Sequence, residues 1–572
     1  MKTTAQALTW ADRRYRSLKT EYDTWLPKWR SIQRYIAFTR GKGLDIANDK
    51  TDANNGRRKD KDVVLPVGQQ AAVICQNGMA SGITPRSRPW FALEPKYKDM
   101  VETGPAKRWF YQSTLVVRDI LLKSNFYQVA RDSFGELPCF GTSAFSYLPD
   151  REDIITFIPY TVGEYMIAAD ARGRVDTFYR ESWWTAAQLE KEFGRIGLPE
   201  DILKKLDEGS TEERYCVGNL VERNDYTIPF AAYLEFPFRS LYFRKAATGM
   251  STVTPLEANG FLFIRGFKRF PIACPRWSAV GGSAYGTGPG EMALGDVMQV
   301  QAMEKKSLKA IDKQIDPPLI ANSSSGIEEI NSLPGGITYS TDLTGQPGLR
   351  PLYQVQTDIN GIEMKIQNAT ARIGKAFHTD LFLALQETSD AKRMTATEAA
   401  LRNDERLSQL GPVLESLDTE MLSLVIEATV EYAADRKLLP EPPQEVIDMM
   451  MERGGFEYEI SYTGVLAQAQ KAYGKTASIE RVLGFATQLA SASPDAMIKL
   501  DTDQMLDEYA DATGAPPTVT RSDAEVSAIR QAQAEAAQQQ QMQEQQMASA
   551  QQAQQYSGAA VNLAKAAQMG VQ

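Results

Sequence analysis

Only one imidazole is available to this chain. His378 is the single histidine in 572 residues, so a serine–histidine or cysteine–histidine nucleophile pair, a two-histidine metal site or a histidine proton shuttle would each have to run through that one side chain. Cys75, Cys139, Cys216 and Cys274 are too scattered for a disulfide framework or a zinc cluster, and they fit a reducing compartment. The carboxylates Asp501, Asp503, Asp507 and Glu508 come nearest to a divalent-cation site. Their spacing matches no EF-hand loop, and a solvated helix flank is the plainer reading. No Gly-x-x-x-x-Gly-Lys-Ser/Thr loop occurs: Gly41-Lys42 lacks the upstream glycine and the glycine cluster at 281–290 contains no lysine, which disfavours a P-loop motor. The expectation is no catalytic residue, no cofactor and no metal. Basic side chains are what remain. Lys305, Lys306, Lys309 and Lys313 share about half of one helical face, and Lys392-Arg393 lie in a polar stretch. For both groups two readings stand: ordinary solvated charge, in the first case paired with Glu304 and Asp312, or contact with a polyanion.

Composition narrows the class further. At about 150 residues per domain the length suggests three or four units. A chain with 43% hydrophobic and 24% charged residues is ordinary globular material. Its net charge of −9 does not suit a surface that wraps nucleic acid, which needs a basic footprint. Residues 1–16 carry charges where a secretory leader would be apolar, and no run approaches 18 uninterrupted apolar residues, so neither secretion nor a membrane partner is expected. These properties fit an assembly or binding protein.

The elements that would position these residues are legible in outline. Leu8, Ala11, Tyr15, Leu18, Tyr22, Trp25, Trp29, Ile32 and Ile36 step by three and four, predicting a helix over the first 40 residues that Pro27 kinks or divides. A polar, charge-rich loop follows at 41–62, then helices near 66–82 and 105–124. From about 140 to 275, short β-branched and aromatic runs (156–158, 226–228, 261–264) read as strands. One helix interrupts them, capped by Thr185 and ending at Gly194. Trp183 and Trp184 there read as core in preference to a binding platform.

Tyr285-Gly286-Thr287-Gly288-Pro289-Gly290 opens a helix over 291–315, about 37 Å long, that stops at Pro317-Pro318. Residues 316–357 read as a small β-rich module, and a helix returns with Ile362, Ile366, Ala369, Ile373 and Phe377 on one stripe. His378 follows, as a helix-terminal or surface group. Residues 386–393 read as a loop. Leu407, Leu410, Leu414, Leu417, Met421, Leu424 and Ala428 form a heptad seam, N-capped by Thr395 or Thr397 with Glu398 completing a capping box, and kinked internally at Gly411-Pro412. A mostly helical stretch at 444–512 contains a strand at 456–462. The tail has 13 glutamines in 531–555, a composition that suits either disorder or a helix stable only beside copies of itself.

At this point the order of elements and five local strings coincide with one family. Ser81-Gly82-Ile83-Thr84-Pro85 leading to Pro89-Trp90-Phe91-Ala92-Leu93, the 285–290 string, Asp316-Pro317-Pro318, Met394-Thr395-Ala396-Thr397-Glu398-Ala399, and Leu410-Gly411-Pro412-Val413-Leu414 followed by Glu420 resemble the portal (head-to-tail connecting) proteins of short-tailed, T7-like bacteriophages. The resemblance implies an α+β, predominantly helical portal fold. Its wing would be 1–285, joined by a long kinked helix and return strand at 395–460. The stem helices would be 286–315 and 358–380, the clip 316–357 and the tunnel loop 381–394. The crown would be 461–520, extended by a glutamine-rich barrel or disordered tail at 521–572.

The resemblance also implies a non-enzymatic dodecamer at the capsid portal vertex, assembled in the bacterial host cytoplasm. Double-stranded DNA would pass through it during packaging and ejection. Its partners would be terminase, tail adaptor and nozzle proteins, major capsid and scaffolding proteins, and internal core proteins. Lys305, Lys306 and Lys309, with Lys392 and Arg393, would be the channel cations. Residues 286–380 hold eleven acidic and eight basic residues, net −3. Near-balance suits sliding, since each neutralised phosphate adds affinity through counterion release. The alternatives are another head–tail adaptor or structural virion protein, or a carboxylate–metal nuclease.

Overall fold

The apolar stripe of the N-terminal segment folds as one helix, α1 (Lys2–Tyr35), which continues through Pro27 without dividing. Its buried side chains include Ala11, Tyr15, Leu18, Trp29 and Ile32. The computed structural model describes residues 2–42, 44, 60–96, 104–224, 236–245, 261–315, 319–321, 349–351, 358–386, 410–453, 458–463, 482–487, 502, 504–506, 509 and 523–568. They fall into two compact units. The first is built from residues within Met1–Trp90 and Val117–Leu438, the second from residues within Phe91–Val116, Leu439–Thr463 and Lys471–Gln572. Among the described residues no helix is long and apolar enough to cross a membrane.

In the first unit, an antiparallel sheet has the order β4 (Tyr165–Ala169), β5 (Val175–Thr185), β6 (Arg214–Arg223), β7 (Phe238–Lys245), β8 (Phe263–Phe267). One face buries Tyr179, Leu220, Leu241 and Phe243 against Ala11, Tyr15 and Leu18 of α1. Glu222 and the fully buried Arg239 pair at 2.6 Å, and the Trp10 indole N–H donates to the same carboxylate at 3.0 Å. Removing either partner would leave an uncompensated buried charge, which is strongly destabilising. The second sheet has the order β3 (Ile155–Tyr160), β2 (Ala144–Pro149), β9 (Ile272–Ala273).

Between β5 and β6 lies α5 (Ala186–Phe193). Thr185 accepts from Gln188 N and Gln188 reaches back to Thr185 N, so the expected cap is a full capping box, and Gly194 ends the helix. Trp184 is half-buried and stacked on Phe193 at 5.3 Å, against the same cluster as Leu189 and Ile202, so it is core. The expectation of a single helix here needs correction: a second, α6 (Glu200–Asp207), follows. Of the expected strands, 156–158 lies inside β3, the run at 261–264 becomes strand only from Phe263, and 226–228 lies outside the described residues.

Helices α2 (Val67–Ile83) and α3 (Gly104–Lys123) lie where expected, but α4 (Phe126–Phe140) is absent from the sequence reading. Its residues from Ser133 to Phe140 are all buried, so no polar face marks a helical period there. Gly141 caps it at φ +78, and a Cβ there would fall 2.3 Å from Gly286 O.

In the second unit, β1 (Phe91–Pro95) pairs antiparallel with β12 (Tyr458–Tyr462), from Phe91↔Tyr462 to Pro95↔Tyr458. The Trp109 indole donates to Pro440 O at 2.9 Å, and Leu93 N to Thr114 Oγ1 at 2.9 Å. Helix α12 (Gln444–Arg453) precedes β12. The glutamine-rich tail is helical: α13 (Asp523–Gln568) runs 46 residues, about 69 Å at 1.5 Å per residue. Its described side chains are exposed apart from Val526.

Gly141→Ala should lower the unfolding free energy by about 3 kcal/mol, combining left-handed strain with a backbone clash. Gly173→Ala, at φ +79 with open space around it, should cost only about 1 kcal/mol. Urea titrations of the two variants check the difference, and equal losses would remove the backbone contact at Gly141 as the cause.

Candidate nucleic-acid interface

Helix α7 (Pro289–Ile315) starts in the glycine string, and the structure shows why those residues are glycine. A Cβ on Gly286 would lie 2.5 Å from Gly141 O, on Gly288 3.0 Å from Leu137 O, and on Gly290 2.3 Å from Cys139 O. The first turn of α7 therefore lies backbone-on-backbone against the last carbonyls of α4, which places opposite dipole ends together. Gly286 N donates to Thr142 Oγ1 at 2.8 Å. Tyr285 is buried beside Trp29 (ring centroids 5.0 Å apart), and its hydroxyl accepts from Ile167 N at 3.1 Å. The string is a packing device, with no room for a phosphate.

Along α7, Ala293, Val297 and Val300 are buried, and Gly68 of α2 lets Val297 approach to 3.1 Å of where a Cβ would stand. Gln301, 2% exposed, is a polar clamp. Its Oε1 accepts from Val64 N (2.7 Å) and Leu65 N (3.1 Å), and its Nε2 donates to Leu65 O (2.7 Å). One turn further, Lys305 pairs with Asp62 at 3.6 Å, and Asp62 also binds Arg34. These cations hold the Asp62 carboxyl below the usual carboxylate range, the Arg34 hydrogen bond contributing most. Beyond Gln301 only Ser307 of α7 is buried, so the distal half leaves the body.

Lys306, Lys309 and Lys313 are exposed on that distal half. Among the described residues no ion pair joins Lys305, Lys306 or Lys309 to Glu304 or Asp312; Lys305 is held from another segment instead. The helix returns as α8 (Ile359–Ala376), N-capped by Asp358. It packs on α7 through the Arg372–Asp296 ion pair (2.5 Å) and buries Ala369, Ile373 and Phe377. Between α7 and α8, β10 (Leu319–Ala321) and β11 (Leu349–Pro351) pair antiparallel. The rest of the expected module, residues 316–318, 322–348 and 352–357, lies outside the described residues, as do Lys392, Arg393, Thr395, Thr397, Glu398, Asp501, Asp503, Asp507 and Glu508.

Two expectations are corrected here. The helix expected over 358–380 does not run to 380: α8 stops at Ala376, His378 adopts φ +53, and α9 (Thr379–Gln386) begins anew. Residues 381–386, expected as the start of a loop, are helical instead, and Leu381 and Phe382 are buried in α9. The Phe382 ring lies on Gly78 of α2, where a Cβ would sit 2.1 Å from it. The kink expected at Gly411-Pro412 falls at the edge of the described residues, since 387–409 lie outside them; Pro412 occupies the first turn of α10 (Gly411–Leu417), where proline lacks only an N–H that would be unpaired anyway. A π-turn at Asp418–Leu422 follows, before α11 (Ser423–Asp435). Leu410, Val413 and Leu417 are buried before it, and Val425, Ile426 and Thr429 after it. Met421 and Leu422 are both buried within the π-turn, so the buried stripe runs from Leu417 through Met421 to Val425 without a gap. Of the expected heptad seam, Leu410, Leu417, Met421 and Ala428 are buried, Leu414 and Leu424 are half-buried, and Leu407 lies outside the described residues.

His378 is half-buried, its ring near-parallel to Trp277 (18°) at 6.3 Å. Burial lowers its pKa from the ordinary histidine value. Among the described residues no group of three or more His, Cys, Asp or Glu side chains can hold a metal ion.

A family model for the bacteriophage head to tail connecting protein matches residues 8–520. The chain belongs to that family. It is 32% identical over 523 residues to a probable portal protein of Bordetella phage BPP-1 and 32% identical over 526 residues to a portal protein of Salmonella phage epsilon15. Each alignment covers 91% of this chain and 90% of the relative. A solved assembly, the neck of an empty gene transfer agent particle, aligns with 73% of this chain and 86% of its own at 13% identity and a TM-score of 0.36, too low to carry a structural argument.

Because His378 is the single histidine, selective ¹⁵N-histidine labelling gives one imidazole titration. Its midpoint should fall below the ordinary value of about 6.5; a midpoint at or above that value would contradict the burial seen here.

Proposed function

We propose that this chain is the portal subunit of a short-tailed phage and that twelve copies close into a ring at the capsid vertex, with double-stranded DNA passing through the centre. The observation that carries the reading is the α7–α8 pair. It leaves the body beyond Gln301 and is closed at its far end by β10–β11, a helix-out, helix-back arm with exposed lysines on one side. Within this reading α7 and α8 are the stem, 316–357 the clip, 1–285 with 395–460 the wing, and 461–520 the crown, which α13 prolongs.

The arm has two usable sides. Leu308 and Ile315, 46% and 78% exposed, continue the stripe that Ala293, Val297 and Val300 bury higher up. At 100° per residue the lysines lie on another side of the helix. A cyclic ring needs two unlike patches per subunit; the uncovered apolar stripe meets a neighbouring copy and the lysine side faces the bore. Lys306 and Lys309 are the channel cations on α7, whereas Lys305 is retained by Asp62. Lys392 and Arg393 join them from the loop before the long helix. The near-balanced charge of 286–380 lets duplex slide without being trapped.

The clip docks terminase during packaging and tail adaptor and nozzle proteins afterwards. Major capsid, scaffolding and internal core proteins contact the wing and crown. Assembly takes place in the host cytoplasm, and the role is structural, without turnover.

Native mass spectrometry should give twelve times the chain mass, and a monomer at every concentration would refute the ring. In packaging assays Lys306→Ala with Lys309→Ala should leave rings intact and change DNA retention, while Lys305→Ala should leave retention unchanged. The opposite ranking would place the channel face elsewhere. Rings with residues 316–357 deleted should not recruit the motor; normal packaging by them would remove the clip assignment.

A further inference from the structure

Arg276 and Trp277 follow β9 and point their side chains at two different helices. Arg276 is 5% exposed. Its Nε lies 3.1 and 3.2 Å from the two oxygens of Glu420, its Nη2 donates to Glu420 Oε1 and to Gly173 O (2.7 Å), and its Nη1 donates to Ser283 O (3.2 Å). Even its backbone N–H donates to Glu420 Oε2 at 2.9 Å. Glu420 stands inside the π-turn between α10 and α11. Trp277 donates its backbone N–H to Gly141 O (2.9 Å) and lies against His378, the left-handed residue at which α8 gives way to α9. In sequence α9 and α10 flank residues 387–409 on either side.

The same short stretch is tied to the root of α7. Arg276 pairs with Thr142, and its Cβ stands 3.0 Å from where a Cβ of Gly286 would be. Ser278 O accepts from Thr287 N at 2.8 Å. We propose that the Arg276–Trp277 dipeptide mechanically couples α9 and the π-turn to the root of α7, so that displacement of either element is felt at the start of the stem and by the other. The physical basis is lack of slack. A buried guanidinium has its donors spent on three segments, and loss of any partner leaves a desolvated charge that the others must move to satisfy. The π-turn supplies the element with an alternative register, since an i→i+5 turn differs from an α-turn by one residue. The coupling is a property of a single chain and goes beyond the ring reading.

Coupling of this kind is reciprocal, which gives the test. Hydrogen exchange is followed in the full chain for Glu420→Gln, which keeps shape and removes charge, and for His378→Asn, which tolerates the left-handed backbone. Glu420→Gln should speed exchange about tenfold or more not only at 411–422 but at 286–297 and 379–386, with β5 and β6 unchanged. His378→Asn should do the same at 418–422 and 286–297. Effects confined to each substituted element, with the other two at wild-type rates, would overturn the proposal. If Glu420→Gln does not fold, Glu420→Asp, which keeps the charge and shortens its reach, reads the same amides. Native mass spectrometry of the same samples separates the questions, because loss of rings bears on the portal reading and leaves the exchange comparison standing.

Discussion

The contact on which the rest depends is the one between two stretches of bare backbone. The C-terminus of α4 and the first turn of α7 approach so closely that Gly141, Gly286 and Gly290 each lack space for a single methyl group. Side chains can repack around a volume change, but carbonyls held in a helix cannot move aside without breaking the helix. That contact sets where α7 starts. The aromatic group around Tyr285 and the Thr142 hydroxyl bind the same turn, and the clamp at Gln301 then fixes where α7 emerges.

Electrostatics in this region is decided locally, not by total charge. The chain is acidic overall, yet lysines 306, 309 and 313 form an exposed strip on α7. Lys305, one residue away, is engaged by a carboxylate from the segment that the Gln301 side chain also secures. Two neighbouring residues of one type thus have different freedom, and only the strap that crosses the helix at Asp62–Leu65 distinguishes them.

Much of this arrangement was legible in the residues. The apolar stripe of α1, the Thr185 cap with its Gly194 stop, and the helices α7 and α8 follow from period and punctuation. What stayed illegible has a common physical origin. Helix α4 shows a polar face only in its first half, at Gln128, Arg131 and Asp132, and is buried on every side from Ser133 on, where Gly135 and Pro138 also argue against a helix. Across Asp418–Leu422 the helix takes a π-turn that no local pattern marks, because Leu417, Met421 and Val425 stay buried at four-residue steps through it. Helix α9 is short and apolar and is separated from α8 by Phe377 and by His378 at positive φ, a break that a histidine does not advertise as a glycine would. The pairing of Lys305 with Asp62 joins residues 243 positions apart, beyond the reach of any local rule.

The antiparallel β10–β11 pair holds Ala321 and Leu349 opposite one another. Whatever chain connects them therefore begins and ends at the same doorway, and lengthening it adds little closure entropy. The far end of the arm is in that sense a cartridge. Its contents can change in length while the two helices that carry it keep their positions.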